Sequence, residues 1–346
     1  REECPSAFGF HNTFCYRPWQ EDWAFCVPYE EYKTWPDGDL QIHLETEFTD
    51  STMYVGEATH NGSSDEYILF NAHTCHPFQF DDGFGGISLI LELLCDLKGQ
   101  ASKYNYRAVF GPEFFGTIFY LAKLDPAIRN KYVGGLFVEM VGLPWPLALQ
   151  KSLTGTHILD RIASYVIREI DPDSRIGDFR TIVGNDETVW EAPGIEVPFP
   201  SLSRCAKSPF YYDQYHTTDD TIANTSFDQR TEALKALKQI VFILEHDYIP
   251  VRKFEGIIAL SNPKYDLYIE RPDPVIEKNL SERQLRMGAI QDRLLRFFDG
   301  KRSVFEIAEQ LDVPFADLYN HLNGFCEKQL IEERPIPSLN YYQQSA

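Results

Sequence analysis

The sequence predicts an α/β fold, a mostly parallel mixed sheet flanked by helices, and three observations carry the prediction. Short apolar runs occur at residues 67–70, 107–110, 135–138 and 197–202. They are continuous rather than alternating, as strands buried on both faces are. Between them lie longer stretches, at 85–97, 116–124, 156–170 and 227–247, whose apolar residues recur at helical spacing. Strand and helix therefore take turns along the chain, which is the pattern of βαβ units.

The elements follow in order. Tyr67-Ile68-Leu69-Phe70 runs into Asn71-Ala72-His73. The 85–97 stretch places Ile87, Leu89, Ile90, Leu93, Leu94 and Leu97 on one helical face. Gly135-Leu136-Phe137-Val138 leads directly into Glu139. Ahead of this core, residues 1–58 mix aromatics with turn signals such as Pro36-Asp37-Gly38-Asp39 and with β-like runs at 40–44 and 52–55. They read as a small β-rich subdomain. Residues 59–251 form the α/β domain, 252–271 a proline-containing linker, and 272–335 a compact helical module. With 346 residues, more than one core is expected.

Composition narrows the function. Hydrophobic residues are 43% of the chain and aromatics 14%, which excludes a disordered chain. A net charge of −20 opposes phosphate backbones and anionic membrane surfaces, so neither nucleic acid nor membrane is an expected partner. No apolar run approaches the roughly 20 residues of a membrane span. No signal-peptide pattern opens the sequence at Arg1. The seven cysteines stand singly, odd in number and without a CxxC pair. That argues against a disulfide framework or zinc knuckle and for a cytoplasmic location.

The polar residues of interest sit at strand ends. His73 and His76 follow the first strand, Asp81 and Asp82 precede the 85–97 helix, and Glu113 follows the second strand. Glu139 ends the third, and His216 lies in a loop before the 227–247 helix. Open α/β sheets gather ligands outside the carboxyl ends of their strands. Imidazole and carboxylate are zinc's usual non-sulfur ligands, and a catalytic zinc keeps about three of them plus an open position. Asp81 suits a helix N-terminus, where the dipole favours a carboxylate. Arg204 could grip a substrate carboxylate or pair with a neighbouring acid. Asp186 and Tyr215 are candidates for substrate binding, and Tyr211 and Tyr212 line a pocket or simply pack.

At this point the chain resembles a known family. NAHTCHPFQFDDGFGG (71–86), FVEMVG (137–142) and YHTTDDT (215–221) are similar to the metal motifs of M28 metallopeptidases. GNDETVWEAPGIEVPFPSLSR (184–204) is closer to a bacterial, DUF4910/DUF2172-like branch of aminopeptidase-like proteins with a small inserted domain and a C-terminal winged helix. The resemblance implies that His73 and Glu139 serve one metal, that Asp82 bridges, and that His216 serves a second metal with Glu113 beside it. The family carries two adjacent glutamates where this chain has Pro112-Glu113. If Glu113 is the ligand, the reading preferred, then Glu187 or Glu139 must act as the base. If Glu113 is the base, the second site keeps only Asp82 and His216. Cys75 stands where the family's aspartate orients the first histidine, and His76 either compensates or binds metal or substrate. These departures favour one zinc over two.

Residues 288–333 carry three helical segments broken at Asp299-Gly300 and Val313-Pro314. They resemble a winged helix of the kind that grips precursor peptides, and imply docking of a peptide or protein; a cap or dimer element, and so a homo-oligomer, is the alternative. The expected activity is zinc-dependent, aminopeptidase-like hydrolysis of a peptide or amide bond in a peptide or amino-acid-derived substrate. The alternatives are an inactive metal-binding recognition protein and a zinc-assisted deacylase or cyclase.

Overall fold

A computed structural model describes residues 2–11, 19–20, 23–47, 49–205, 212–269, 273, 275–276 and 281–344. Tyr211 and Cys15 lie outside them. The chain forms two compact units, Arg1–Lys238 and Gln239–Ala346. The first runs α1 (Tyr29–Tyr32), β1 (Gly56–His60), β2 (Tyr67–His73), α2 (Gly85–Leu97), β3 (Asn105–Gly111), α3 (Phe115–Lys123) and α4 (Pro126–Arg129). It continues through β4 (Tyr132–Val138), β5 (Leu147–Gln150), α5 (Ile158–Ile170), β6 (Arg175–Gly177), α6 (Glu187–Trp190) and β7 (Ser201–Arg204). The boundary falls within α7 (Phe227–His246).

The first unit is built on a seven-stranded sheet of order β1-β3-β2-β4-β7-β5-β6. Its centre, β3-β2-β4-β7, is parallel, as the continuous apolar runs predict. β1 joins β3 antiparallel at one edge, and β5 pairs antiparallel with β7. Residues 68–70 and 72 of β2 and 136–138 of β4 are buried. Their carboxyl ends carry His73 and Glu139. α2 begins against the end of β4, and only glycine allows this: a Cβ at Gly86 would stand 1.9 Å from the Val138 carbonyl oxygen.

Two expectations are corrected. The runs at 40–44 and 52–55 form no strand; the described residues before β1 hold one helical turn, α1, and an isolated bridge at Gly9. The predicted strand at 197–202 is displaced to Ser201–Arg204. Pro198 and Pro200 have no N–H to give a ladder. Their carbonyls still accept from Gly135 and Phe137, at 3.0 and 2.9 Å.

The second unit holds β8 (Tyr248–Arg252), α8 (Glu282–Leu294), α9 (Val304–Leu311), α10 (Phe315–Glu327) and β9 (Ile331–Pro335). β8 and β9 pair antiparallel. Ser303 and Glu306 form a capping box on α9, and Asp312 ends that helix in the left-handed region at φ 54°. Phe298, Phe305, Leu318, Leu322 and Phe325 are fully buried and form its core. Among the described residues no helix is long and apolar enough to cross a membrane.

Candidate metal centre

β2 delivers His73 to the sheet's carboxyl edge. The chain then turns back on itself, and Gln79 pins the turn. Its Oε1 accepts from the Cys75 and His76 amides at 2.8 and 2.9 Å, and its Nε2 donates to the His73 carbonyl at 3.1 Å. His76 is thereby brought beside Asp82. Asp82 lies in a tight turn at Phe80–Phe84 that needs Gly83 at φ 153°. Both amides of Asp81 and Asp82 donate to the Asp220 carboxylate, at 3.0 and 3.1 Å, and Tyr212 Oη donates to the same group at 2.8 Å. Asp81 does not cap α2, as its position suggested. Its Oδ1 accepts from the Gly142 amide at 2.9 Å and from Thr225 Oγ1 at 3.1 Å, which ties the turn to the loop after β4.

The candidate ligand side chains then converge. Asp82 Oδ1 lies 3.8 Å from His73 Nε2, and His73 Nε2 lies 3.2 Å from Glu139 Oε2. Asp82 Oδ2 lies 3.1 Å from His76 Nε2 and 3.2 Å from His216 Nε2. Two groups result, His73/Asp82/Glu139 and His76/Asp82/His216, each with ligand atoms within 4.8 Å of one another. Two ligands of one tetrahedral ion, each at about 2.0–2.2 Å, stand roughly 3.3–3.6 Å apart, so these spacings suit a shared cation. Among the described residues Glu113 belongs to neither group.

The surroundings are prepared for positive charge. Burial pushes the Glu139 carboxyl up to about 7, against the pull of His73. Burial also pushes Asp186 up to about 7 and raises Glu113, with the charges of His73, Asp82 and His216 acting on the latter. Burial works against a charged His73, but its hydrogen bonds to Cys75 and Glu139 hold it well above the ordinary histidine range. Four carboxylates thus crowd three imidazoles in a largely closed space, an excess of negative charge that a divalent cation would neutralise. Cys75 orients His73: its sulfur lies 3.2 Å from Nδ1 and accepts the Glu113 amide at 3.0 Å. Asn185 Nδ2 donates to Glu139 Oε1.

The remaining expected residues separate. Asp186 Oδ1 accepts from the Phe114 amide at 2.6 Å, while its buried Oδ2 has no hydrogen-bond partner among the described residues. Glu187 is turned into the core: Gln150 Nε2 and the Asn185 amide occupy its oxygens, with Arg180 at 3.6 Å. Arg204 is buried, and its guanidinium donates to the Val141, Trp145 and Gln229 carbonyls and to Glu232 Oε2 at 2.6 Å. The ion-pair reading of Arg204 thus fits its contacts, since these leave little for a substrate. Tyr215 stacks on His216 with ring centroids 3.8 Å apart. It also lines a pocket of about 150 Å³ with Glu139, Met140, Arg180, Ile182 and Asn185. Gln79, Asn185 and Asp220 were not singled out from the sequence. Each lies inside a motif that drew attention, but the motif gave it no role.

The profile of a family described as a domain of unknown function, DUF4910, matches residues 20–247. The chain belongs to the DUF4910 family. This DUF4910 chain is 27% identical over 304 residues to a Clostridium acetobutylicum protein provisionally named as a polysaccharide biosynthesis protein with an aminopeptidase-like domain. The match takes in 86% of the chain and 65% of that relative, so the chain spans about two thirds of the relative's length. A crystal structure from C. acetobutylicum, provisionally described as a peptidase, superimposes with a TM-score of 0.75 at 21% identity, over 95% of this chain and 71% of that one. The DUF4910 chain shares that protein's fold.

Proposed function

We propose that the chain is a zinc-dependent hydrolase of the M28 type that cleaves a peptide or amide bond beside a free amino group. One observation carries this reading: Asp82 offers one carboxylate oxygen to each of two His-containing groups. His73, Asp82 and Glu139 would hold one ion, and His76, Asp82 and His216 a second. The geometry supports two ions where the motifs favoured one, because His76 takes a ligand's place rather than a substrate contact. When bound, zinc lowers the pKa of a water toward 7 and polarises a carbonyl.

The chain's own residues supply the rest. Glu113 replaces Glu187 as the proton carrier. It lies close enough to feel His73, Asp82 and His216, so its carboxylate stands beside the proposed ions, where a group must take a proton and return it. Asp186 Oδ2, buried and unpartnered, is placed to accept a hydrogen bond from a substrate ammonium. The pocket beside Glu139 and Tyr215 would take the neighbouring side chain, with Met140 and Ile182 as apolar walls. Turnover of a panel of aminoacyl amides by the wild-type chain and by Asp82→Ala tests the reading. Release of free amino acid that Asp82→Ala abolishes is expected. Turnover of N-acylated or cyclising substrates alone would replace cleavage beside a free amino group with hydrolytic deacylation or with cyclisation. A zinc-loaded chain that turns over none of them would be a binding protein.

A further inference from the structure

We infer that Phe10 is a positioning residue for the His76/His216 half of the centre, pressed onto both imidazoles by a strap of residues 4–10. The inference rests on the metal-site reading above and adds a residue far from it in sequence. The strap lies along the loop that carries His216. Phe10 N donates to the His216 carbonyl at 2.7 Å, and Thr218 N donates to the Phe8 carbonyl at 2.9 Å. Gly9 bridges Thr217 antiparallel between them. Phe8 N donates to Thr218 Oγ1 at 3.1 Å, and Cys4 Sγ donates to the Asp213 carbonyl at 3.3 Å. Cys4 and Ala7 anchor the strap as its buried residues, and Glu30 N ties it to α1 through the Pro5 carbonyl at 2.9 Å.

This pairing fixes where the Phe10 ring goes. It stacks on His76 with centroids 4.4 Å apart and 21° between planes, and meets His216 edge-on at 5.7 Å. His76 and His216 are themselves edge-to-face at 4.9 Å, and Tyr215 closes the far side of His216. Both imidazoles are therefore held in a run of four rings. The need is plain from their polar contacts. A ligating histidine is normally oriented by a hydrogen bond on its other nitrogen. His76 Nδ1 has one, which it donates to the Pro77 carbonyl at 2.9 Å. Among the described residues no second hydrogen bond orients the His216 ring beyond its Asp82 contact. The χ2 well of histidine is broad, so ring contacts from Phe10 and Tyr215 are what aim Nε2 at Asp82. Phe10 is itself 36% exposed, so its truncation opens no cavity in the core.

The test uses the full chain with Phe10→Ala and the ring-preserving Phe10→Tyr. In metal-free protein with labelled histidines, the His76 ring protons are expected upfield in the shielding cone of Phe10. Phe10→Ala should lose that shift and Phe10→Tyr restore it. In zinc titrations, Phe10→Ala should weaken one of two equivalents by about ten-fold, the lower end of what outer contacts to ligands are worth, and leave the other unchanged. The cobalt-substituted form should change its visible bands accordingly. Unshifted His76 protons in the wild type, or two zinc equivalents bound unaltered by Phe10→Ala, would overturn the inference. Should the wild type show the ring shift but take up no zinc, the metal reading fails while the hold of Phe10 on the two imidazoles stands.

Discussion

Cys75 shows how a small change of side chain is absorbed at the centre. A thiol is a weaker acceptor than a carboxylate, yet its sulfur contacts His73 Nδ1 and takes the Glu113 amide together. Cys75→Ala should therefore loosen metal binding by about 10–100-fold, read by competition with a chromophoric chelator. The His73–Glu139 pair makes a second prediction. His73 is held well above its ordinary range and Glu139 is raised to about 7, so near neutrality the metal-free pair keeps a proton between them. Metal needs His73 neutral and Glu139 ionised. Zinc affinity should thus rise with pH through 7 and fall as the pH drops below it. About one proton should be released per ion at the His73/Glu139 site, measured by calorimetry in buffers of different ionisation enthalpy. At this scale His73, Asp82, Glu139 and His216 were legible because each ends a strand or sits in a short motif. Gln79, Asn185, Asp220 and Phe10 were not. Their roles arise from contacts that only the folded chain creates, with Phe10 reaching His76 across 66 positions of sequence.

The elements hold these residues through backbone crossings that leave no room. Gly86→Ala would drive a methyl into the Val138 carbonyl, and a backbone oxygen cannot swing aside. It should cost about 3 kcal/mol, seen as a lower urea midpoint, and should weaken metal binding in parallel because Glu139 follows Val138 directly. The buried strands β2 and β4 and helix α2 were legible, since long apolar runs and a clear period survive any tertiary context. β5 and β6 were missed: four and three residues carry no periodicity to read. β7 was misplaced because the apolar pattern of 197–200 hides two prolines that can accept but not donate. His76 was left between supporting His73, binding metal and binding substrate for a similar reason, since the Gln79-pinned turn that carries it to Asp82 has no sequence signature.

Across the whole molecule, the net charge of −20 continues into the interior of the first unit, where Asp82, Glu113, Glu139 and Asp186 gather. A cation that binds only the folded form stabilises it by mass action, by about 4 kcal/mol at a free concentration 1,000 times its Kd. Chelation should therefore lower the melting transition of the first unit. Differential scanning calorimetry of the zinc-loaded and the chelated chain measures that shift. A linker was expected at the proline-containing stretch 252–271, whereas the two compact units meet within α7. In the proposed centre Asp82 joins two metal sites. The zinc content of the reconstituted chain beside that of Asp82→Ala tests this. Two equivalents in the wild type and none retained in Asp82→Ala are predicted. A wild-type chain that takes up no zinc at saturation, or an Asp82→Ala chain that keeps both ions, would contradict it.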